Sequence, residues 1–113
     1  MAKPVASRKA RFEFKPAFEE SLARHVKRTP AVSAALQAFI TAKMERPPLA
    51  LPRGMRDHAL TGGLAAFKEC HLGHDSCLLY TDKGDVVTLV LIVDHDEMSR
   101  TRAKSLTKRL DRG

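Results

Sequence analysis

The segment from Val86 to Val93 constrains the fold more than any other part of the chain. It is nearly all apolar and β-branched, a composition that favours extended backbone over helix. A run with so few polar residues is typical of a central strand that is covered on one face and partly on the other. A chain of 113 residues is long enough for one core and too short for a second. We therefore expect a single domain built around this strand.

Shorter segments supply the neighbouring strands. Residues 11–15 alternate strictly between polar and apolar side chains, which places Phe12 and Phe14 on one face of a short strand. Clusters of turn-forming residues divide the later part of the chain and predict hairpins. The predicted order is a loop at residues 57–63, a strand at 64–72, a turn at 73–76, a strand at 77–81, a turn at 82–85 and then the apolar strand.

A first amphipathic helix follows the opening strand. Pro16 ends that strand, and Phe18, Leu22 and Val26 then recur every four residues with charged residues between them. This spacing places the three apolar side chains on one helical face. We interpret His25 as a residue at the edge of this apolar stripe, without a chemical role.

A second helix is predicted between two signals. Thr29 can cap the free amides of a helix, and Pro30 fits its first position. The paired prolines at 47–48 forbid continuation, so the helix should end near Glu45. Its apolar face consists of Val32, Ala35, Leu36, Phe39, Ile40 and Met44. Together the segments predict an α+β fold, in which a helical hairpin covers one face of a sheet.

The charge of the chain indicates its partners. Lys and Arg outnumber Asp and Glu by 20 to 13, which gives a net charge of +7 and a sequence pI near 9.9. Nucleic acids and acidic proteins are natural partners of such a surface. We expect residues 1–10 to form a flexible basic arm, residues 11–98 the single domain, and residues 99–113 a basic C-terminal helix.

The N-terminal residues predict the compartment. They are basic but no apolar block follows them, so we expect neither a signal peptide nor a membrane anchor, and no membrane contact. The predicted location is the cytoplasm. Because the cytosol is reducing, we expect Cys70 and Cys77 to be free thiols, although they flank a short turn.

Four of the five histidines lie between Asp57 and Asp96. They are His58, His71, His74 and His95, and Asp75 lies among them. Imidazoles concentrated in this way indicate metal binding or proton transfer. The hairpin brings His71 and Asp75 close together, whereas the other members must be brought in by the fold.

One chemistry that suits these residues is the cleavage of RNA. RNA carries its own nucleophile, the 2′-hydroxyl, so a nuclease needs a base, an acid and cations that stabilise the phosphorane. No metal or cofactor is required. The nearest candidates for the cationic role are Arg53, Arg56 and Lys68.

A metal site is the main alternative from residue types alone. Its candidate ligands are Cys70, His71, His74, Asp75 and Cys77. Cys70 and His71 are neighbours in a predicted strand and point to opposite faces, and paired Cys-x-x-Cys motifs are absent from the sequence. We therefore rank a nuclease ahead of a zinc protein.

A longer pattern resembles a known family. The residues that carry it are Asp57, His58, Ala59, Leu60, Thr61, Gly62, Phe67, Lys68, Glu69, Cys70, His71, Asp75, Leu78, Leu79, Tyr80 and His95. In this order and spacing they look like the YafQ branch of the RelE superfamily. The resemblance implies a toxin of a bacterial type II toxin–antitoxin pair that cuts messenger RNA in the ribosomal A site. It also implies a fold of two helices on a four-stranded antiparallel sheet.

The resemblance assigns roles to four residues. His58, His71, Asp75 and His95 correspond to the family's catalytic set. We expect Asp75 to be the general base and His95 the general acid, while the other two imidazoles stabilise the phosphate. The resemblance gives His74 no role.

Two departures from the family pattern concern single positions. Ala59 stands where proline is usual, which loosens the loop. Ser99 stands where the family has an aromatic residue near the C-terminus, so base stacking is lost or passes to Met98.

The implied partners are an acidic antitoxin, messenger RNA and ribosomal RNA of the 70S ribosome, with a toxin–antitoxin hetero-oligomer as the assembly. A second hypothesis is a non-nucleolytic toxin that resembles the ParE branch and binds DNA gyrase. Such a protein has no need of the four catalytic positions. A third is a small metal-binding protein that uses Cys70, His71, His74 and Cys77.

Overall fold

Strand β5 (Val86–Val93) lies inside the sheet and pairs with a strand on each side. The computed structural model describes residues 9–73 and 75–94. The other strands are β1 (Arg11–Phe14), β2 (His58–Ala59), β3 (Lys68–Gly73) and β4 (Ser76–Lys83). They form one five-stranded sheet in the order β1-β5-β4-β3-β2. The apolar segment is therefore a central strand, as its composition predicts.

Two helices cover one face of the sheet, and the predicted α+β class is confirmed. Helix α1 spans Pro16–Arg28 and α2 spans Ala31–Met44. Glu45 has extended backbone, so the second helix ends where the paired prolines require. Thr29 caps differently from the prediction: its carbonyl, not its hydroxyl, accepts a hydrogen bond, from the amide of Val32.

The sheet differs from the predicted four antiparallel strands. Strand β1 pairs parallel with β5, in the register Arg11↔Val86 to Phe14↔Leu89. The two residues of β2 add an antiparallel edge beside β3, within the predicted loop. Alternation along a strand identifies its two faces, but it does not identify its partner. The parallel pairing and the short edge strand are therefore corrections that only the tertiary structure supplies.

Strand β3 begins later than predicted. Gly62–Leu64 form a 3₁₀ turn, and β3 starts at Lys68. The β4–β5 connection is a tight turn at Gly84, whose φ of 63° lies in the region that favours glycine. Leu64 and Phe67 consequently pack on the sheet from a connecting segment and do not pair within it.

Each face of the sheet carries its own apolar cluster. We call the side covered by the helices the helix face; its core includes Phe18, Val32, Phe39, Leu78 and Ile92. We call the other side the outer face; its core consists of Leu64, Cys77, Leu79, Val90, Leu91 and Val93. A bulge in β5 explains two consecutive members of the outer-face core. Leu79 pairs with Leu91 and Tyr80 pairs with Leu89, which leaves Val90 between them unpaired.

His25 lies in the interior, and its prediction as a residue at the edge of the stripe is wrong. Its side chain is 2% exposed, and its Nδ1 atom lies 2.7 Å from Oγ of Ser76. Ser21, one helical turn earlier, is also buried, and its hydroxyl accepts a hydrogen bond from the amide of Ile92. These polar residues connect α1 to the strands, because buried polar groups need partners.

The two predicted terminal segments lie largely outside the described residues. Within the described part, Lys9 forms a bridge with Glu45, and the amide of Ala10 donates to the carbonyl of Met44. Neither helix among the described residues is long and apolar enough to cross a membrane.

Candidate active site

Asp57 and His58 are adjacent in sequence and project to opposite sides of the sheet. The segment before them contains a 3₁₀ turn at Arg53–Met55. Arg56 ends this turn with a φ of 51°, a left-handed conformation that costs a residue with a side chain about 1–2 kcal/mol. The surrounding contacts must hold this backbone in place, and they anchor Asp57 on the helix face.

On the helix face, Asp57 belongs to a closed polar cluster. Its carboxylate accepts hydrogen bonds from the Lys43 ammonium, at 3.0 Å, and from the Tyr80 hydroxyl. The same ammonium lies 5.3 Å from the centroid of the Tyr80 ring. Burial, followed by the hydrogen bond and charge of Asp57, raises the pKa of Tyr80 well above its usual range. We call Lys43, Asp57 and Tyr80 the helix-face cluster.

On the outer face, the strand register brings four side chains together. His58 pairs with Glu69 across β2 and β3, and His71 pairs with Cys77 across β3 and β4. Glu69 and His71 are two residues apart in β3, so they share a face. We call His58, Glu69, His71 and Cys77 the outer-face cluster.

His58 is held at both ring nitrogens. Its Nδ1 atom lies 2.6 Å from the carbonyl oxygen of Arg56, and its Nε2 atom lies 3.1 Å from Oε1 of Glu69. A carbonyl oxygen only accepts hydrogen bonds, so Nδ1 carries a proton. The second contact then requires another proton between Nε2 and Oε1. The His58 imidazole is 49% exposed whereas the Glu69 side chain is 9% exposed. Of these two residues, His58 is therefore the one that a ligand in solvent can reach.

Cys77 is the most deeply buried member of the outer-face cluster. Burial raises the pKa of its thiol to about 12, and the charge and hydrogen bond of Glu69 contribute next. The charges of Asp75 and Asp94 act in the same direction. Both carboxylates therefore lie near Cys77, one in the β3–β4 turn and one at the residue after β5.

The structure brings together two of the four predicted catalytic residues. His58 and His71 lie on either side of Glu69, and Asp75 follows in the turn after β3. His95, Met98 and Ser99 lie outside the described residues, as does His74. Nothing structural is therefore assigned to those four positions.

The predicted cationic residues occupy two locations. Arg53 and Arg56 are exposed on the segment that leads into His58. Lys68 is also exposed, but it pairs with Tyr80 and so shares the helix face, opposite Glu69 and His71.

Glu69 is the site residue that the sequence analysis missed. It belongs to the family pattern but has no predicted function, although its spacing of two residues from His71 places both on one strand face. Its pairing with His58 depends on the two-residue strand β2, which has no detectable sequence pattern. Glu69 thus becomes visible only when the strands are assembled.

The two cysteines are free, as expected, and lie on opposite faces. Cys70 pairs with Leu78 on the helix face, whereas Cys77 pairs with His71 on the outer face. The predicted metal set of Cys70, His71, His74 and Cys77 therefore does not converge. A different set does: ligand atoms of Glu69, His71 and Cys77 all lie within 4.8 Å of one another.

Comparison with known proteins identifies the class of protein that this fold and site define. A family model described as the bacterial toxin of type II toxin–antitoxin systems, YafQ, matches residues 10–100. This match covers most of the chain, including both helices, the whole sheet and the outer-face cluster. The chain belongs to the YafQ family of type II toxin–antitoxin toxins. A comparison with curated protein sequences gives no match.

Solved structures of toxins share the fold. A copper-bound mutant toxin from Helicobacter pylori is 27% identical with a TM-score of 0.69, and it covers 79% of this chain and 98% of its own. A metal-bound toxin from the same organism is 28% identical with a TM-score of 0.60 over the same shares. The Escherichia coli DinJ–YafQ toxin–antitoxin complex is 17% identical with a TM-score of 0.62, covering 79% and 96%. The last similarity concerns the fold alone.

Proposed function

We propose that this toxin is a metal-independent endoribonuclease that cleaves messenger RNA on the ribosome. The observation that carries the proposal is the outer-face cluster, in which two imidazoles lie on either side of a buried carboxylate. The net charge of +7 supplies attraction to the phosphate backbone, and the exposed Arg53 and Arg56 lie on the segment that leads into His58.

The reaction uses the nucleophile of the substrate. Asp75 removes the proton of the 2′-hydroxyl, the oxygen attacks the adjacent phosphorus, and His95 donates a proton to the leaving 5′-oxygen. His58 and His71 donate hydrogen bonds to the phosphorane. These roles follow the family pattern. Glu69 orients His58 by accepting from its Nε2 atom, and we infer that it is a positioning residue.

The partners follow from charge and family. We propose that an acidic antitoxin binds the basic surface and covers the cluster, as DinJ accompanies YafQ in the Escherichia coli complex. The basic residues among positions 99–113 would add contacts to ribosomal RNA. The site of action is then the cytoplasm, where ribosomes translate.

Purified protein added to translating ribosomes tests the activity. We expect cuts within codons of the message, in the presence of a chelator as well as without it. His95→Ala should abolish the cuts while the circular dichroism spectrum is unchanged. Intact message with the wild-type protein would refute the nuclease, and trapped DNA gyrase in the same preparation would favour the ParE-like alternative.

A further inference from the structure

The outer-face cluster contains three ligand types that proteins use for thiophilic metals. The carboxylate of Glu69, the imidazole of His71 and the thiol of Cys77 offer atoms that all lie within 4.8 Å of one another. The register between β3 and β4 fixes this arrangement, because His71 and Cys77 are paired directly. Sites on strands are held more rigidly than sites on loops.

We propose that Glu69, His71 and Cys77 bind one thiophilic divalent cation, with Zn²⁺ as its representative, and that the bound ion switches the toxin off. His58 lies outside this group of three, but its Nε2 atom contacts Glu69 at 3.1 Å, so rotation of its imidazole towards the ion would supply a fourth ligand. Binding stands on the geometry alone, whereas the inhibitory effect rests on the nuclease function proposed above.

The distances are compatible with a tetrahedral ion after a small contraction. Zinc bonds of 2.0–2.3 Å place neighbouring ligand atoms about 3.3–3.8 Å apart. The three ligand atoms are separated by at most 4.8 Å, so the widest pair must approach by no more than about 1.5 Å for bonds of this length, which side-chain rotation on β3 and β4 can supply.

Charge favours an ion with two positive charges. The Glu69 carboxylate and a Cys77 thiolate provide two negative charges, and the imidazole ligands are neutral when they coordinate. The bound site is thus neutral, which suits a partly buried position. The buried thiol is protonated before binding, and a second proton lies between His58 and Glu69, so the metal displaces both protons into solvent as its bonds to these residues form.

The ligand set and its surroundings also determine selectivity and access. A thiolate with imidazoles selects zinc or copper over magnesium and calcium, which prefer oxygen ligands. The half-exposed His58 and the partly buried His71 leave a route from solvent to the cluster. Coordination occupies the lone pairs and hydrogen-bond positions that would otherwise serve the phosphate.

The two cysteines provide a matched test of binding. Both are fully buried, but only Cys77 lies in the cluster. The metal-free full chain would be titrated with Zn²⁺ by calorimetry and with Co²⁺ in the spectrometer, for the wild type, Cys77→Ser and Cys70→Ser. We expect one ion per chain and a thiolate-to-cobalt charge-transfer band in the wild type and Cys70→Ser. Cys77→Ser should lose the band and bind Zn²⁺ at least about 100-fold more weakly.

Circular dichroism separates loss of the site from loss of the fold. If Cys77→Ser fails to fold, Glu69→Gln and His71→Ala replace it in the same titration, and each must also weaken binding. Absence of stoichiometric zinc in the wild type, or equal binding by the two cysteine variants, would overturn the proposal.

The inhibitory effect is measured separately. RNA cleavage by each folded variant is compared with and without Zn²⁺, so that every protein serves as its own reference. We expect zinc to suppress cleavage by the wild type and Cys70→Ser, with recovery on chelation, and to leave the rate of Cys77→Ser unaltered. A wild type that binds zinc but never cleaves RNA would refute the nuclease and preserve the metal site. A wild type that cleaves at the same rate with zinc bound would refute the switch.

Discussion

The two polar clusters of this toxin lie on opposite faces of one sheet and begin at adjacent residues. The helix-face cluster is closed in the sense that its groups bind one another: the Asp57 carboxylate is bound by Lys43 and Tyr80, and the side chains of Lys43 and Asp57 are 7% and 26% exposed. The outer-face cluster is open, because His58 is half exposed above a buried Glu69. A satisfied buried cluster contributes order, whereas ionisable groups that reach solvent remain available to a ligand.

The position of the open cluster depends on the closed one. Asp57 fixes the backbone immediately before His58, and the left-handed Arg56 directs that backbone into β2. The adjacent Asp57 and His58 of the family pattern therefore have separate structural roles. Asp57 anchors the segment on the helix face, and this anchoring positions His58 in the outer-face cluster.

The largest expected effect comes from removing the exposed member of the outer-face cluster. On the mechanism proposed above, His58→Ala deletes a hydrogen-bond donor to the phosphorane, and we expect cleavage of ribosome-bound message to fall about 10²–10³-fold. The free energy of unfolding should change little, because the imidazole is 49% exposed and surface changes are usually within about 0.5 kcal/mol. Rapid-quench cleavage assays and urea unfolding measure the two quantities.

His74→Ala is the matched control, since the family pattern gives that imidazole no role. It should cleave at the wild-type rate. Wild-type cleavage by His58→Ala would contradict the assignment of the outer face as the active surface, and equal losses in both variants would indicate an effect of charge alone.

A substitution in the helix-face cluster should lower stability and leave cleavage intact, the reverse of the result expected for His58→Ala. Lys43→Ala removes the counter-charge of Asp57 and a buried aliphatic stem, so the free energy of unfolding should fall by about 2–3 kcal/mol. This is below the cost for a fully buried pair, because the Asp57 side chain is 26% exposed. Cleavage by the folded fraction should persist, because the Tyr80 hydroxyl still holds Asp57 and therefore the backbone before His58. Denaturant unfolding followed by circular dichroism makes the measurement.

Lys27→Ala is the control for a helix lysine without a buried partner, since Lys27 is exposed on α1. Its free energy of unfolding should stay within about 0.5 kcal/mol of the wild type. A loss of cleavage in folded Lys43→Ala, without a loss of stability, would show that the two faces are not separable in this way.

Sequence patterns predicted the parts of the fold that are determined locally. Helical spacing identified α1 and α2, prolines marked their ends, and the composition of residues 86–93 identified the central strand. They did not identify the parallel partner of β1 or the edge strand at His58, because strand pairing depends on contacts between distant residues.

In the candidate site, too, the residues with a local sequence signal were predicted and those that depend on distant contacts were not. His58, His71 and Asp75 were predicted because imidazoles and carboxylates are conspicuous in a hairpin. Glu69 and the buried bond between His25 and Ser76 were missed, since burial is decided by the packing of α1 and β2 and leaves no local signal. The resemblance to the YafQ family supplied what periodicity did not, namely which histidines to group.

A smaller effect, on the free energy of unfolding at alkaline pH, tests whether the helix-face cluster excludes solvent. The phenol of Tyr80 has a raised pKa in the folded state, whereas an unfolded tyrosine titrates near pH 10. The stabilisation from Tyr80 is therefore fully present below about pH 10. It declines above that pH, because the unfolded state releases a proton that the folded state retains. Tyr80→Phe cannot make this contribution and also loses the hydrogen bond to Asp57, a cost of about 1 kcal/mol near neutrality.

The difference in the free energy of unfolding between wild type and Tyr80→Phe, which we call the stability gap, should accordingly narrow as pH rises. Above about pH 10 the wild type loses up to about 1.4 kcal/mol more per pH unit than the variant. Both proteins retain Cys70 and Cys77, so the decline from the buried thiols cancels in the difference. Urea unfolding at pH 8, 10 and 11 gives the gap at each pH. A gap that stays constant would mean that the Tyr80 hydroxyl ionises in the folded protein, and the helix-face cluster would then be as open to solvent as the outer face.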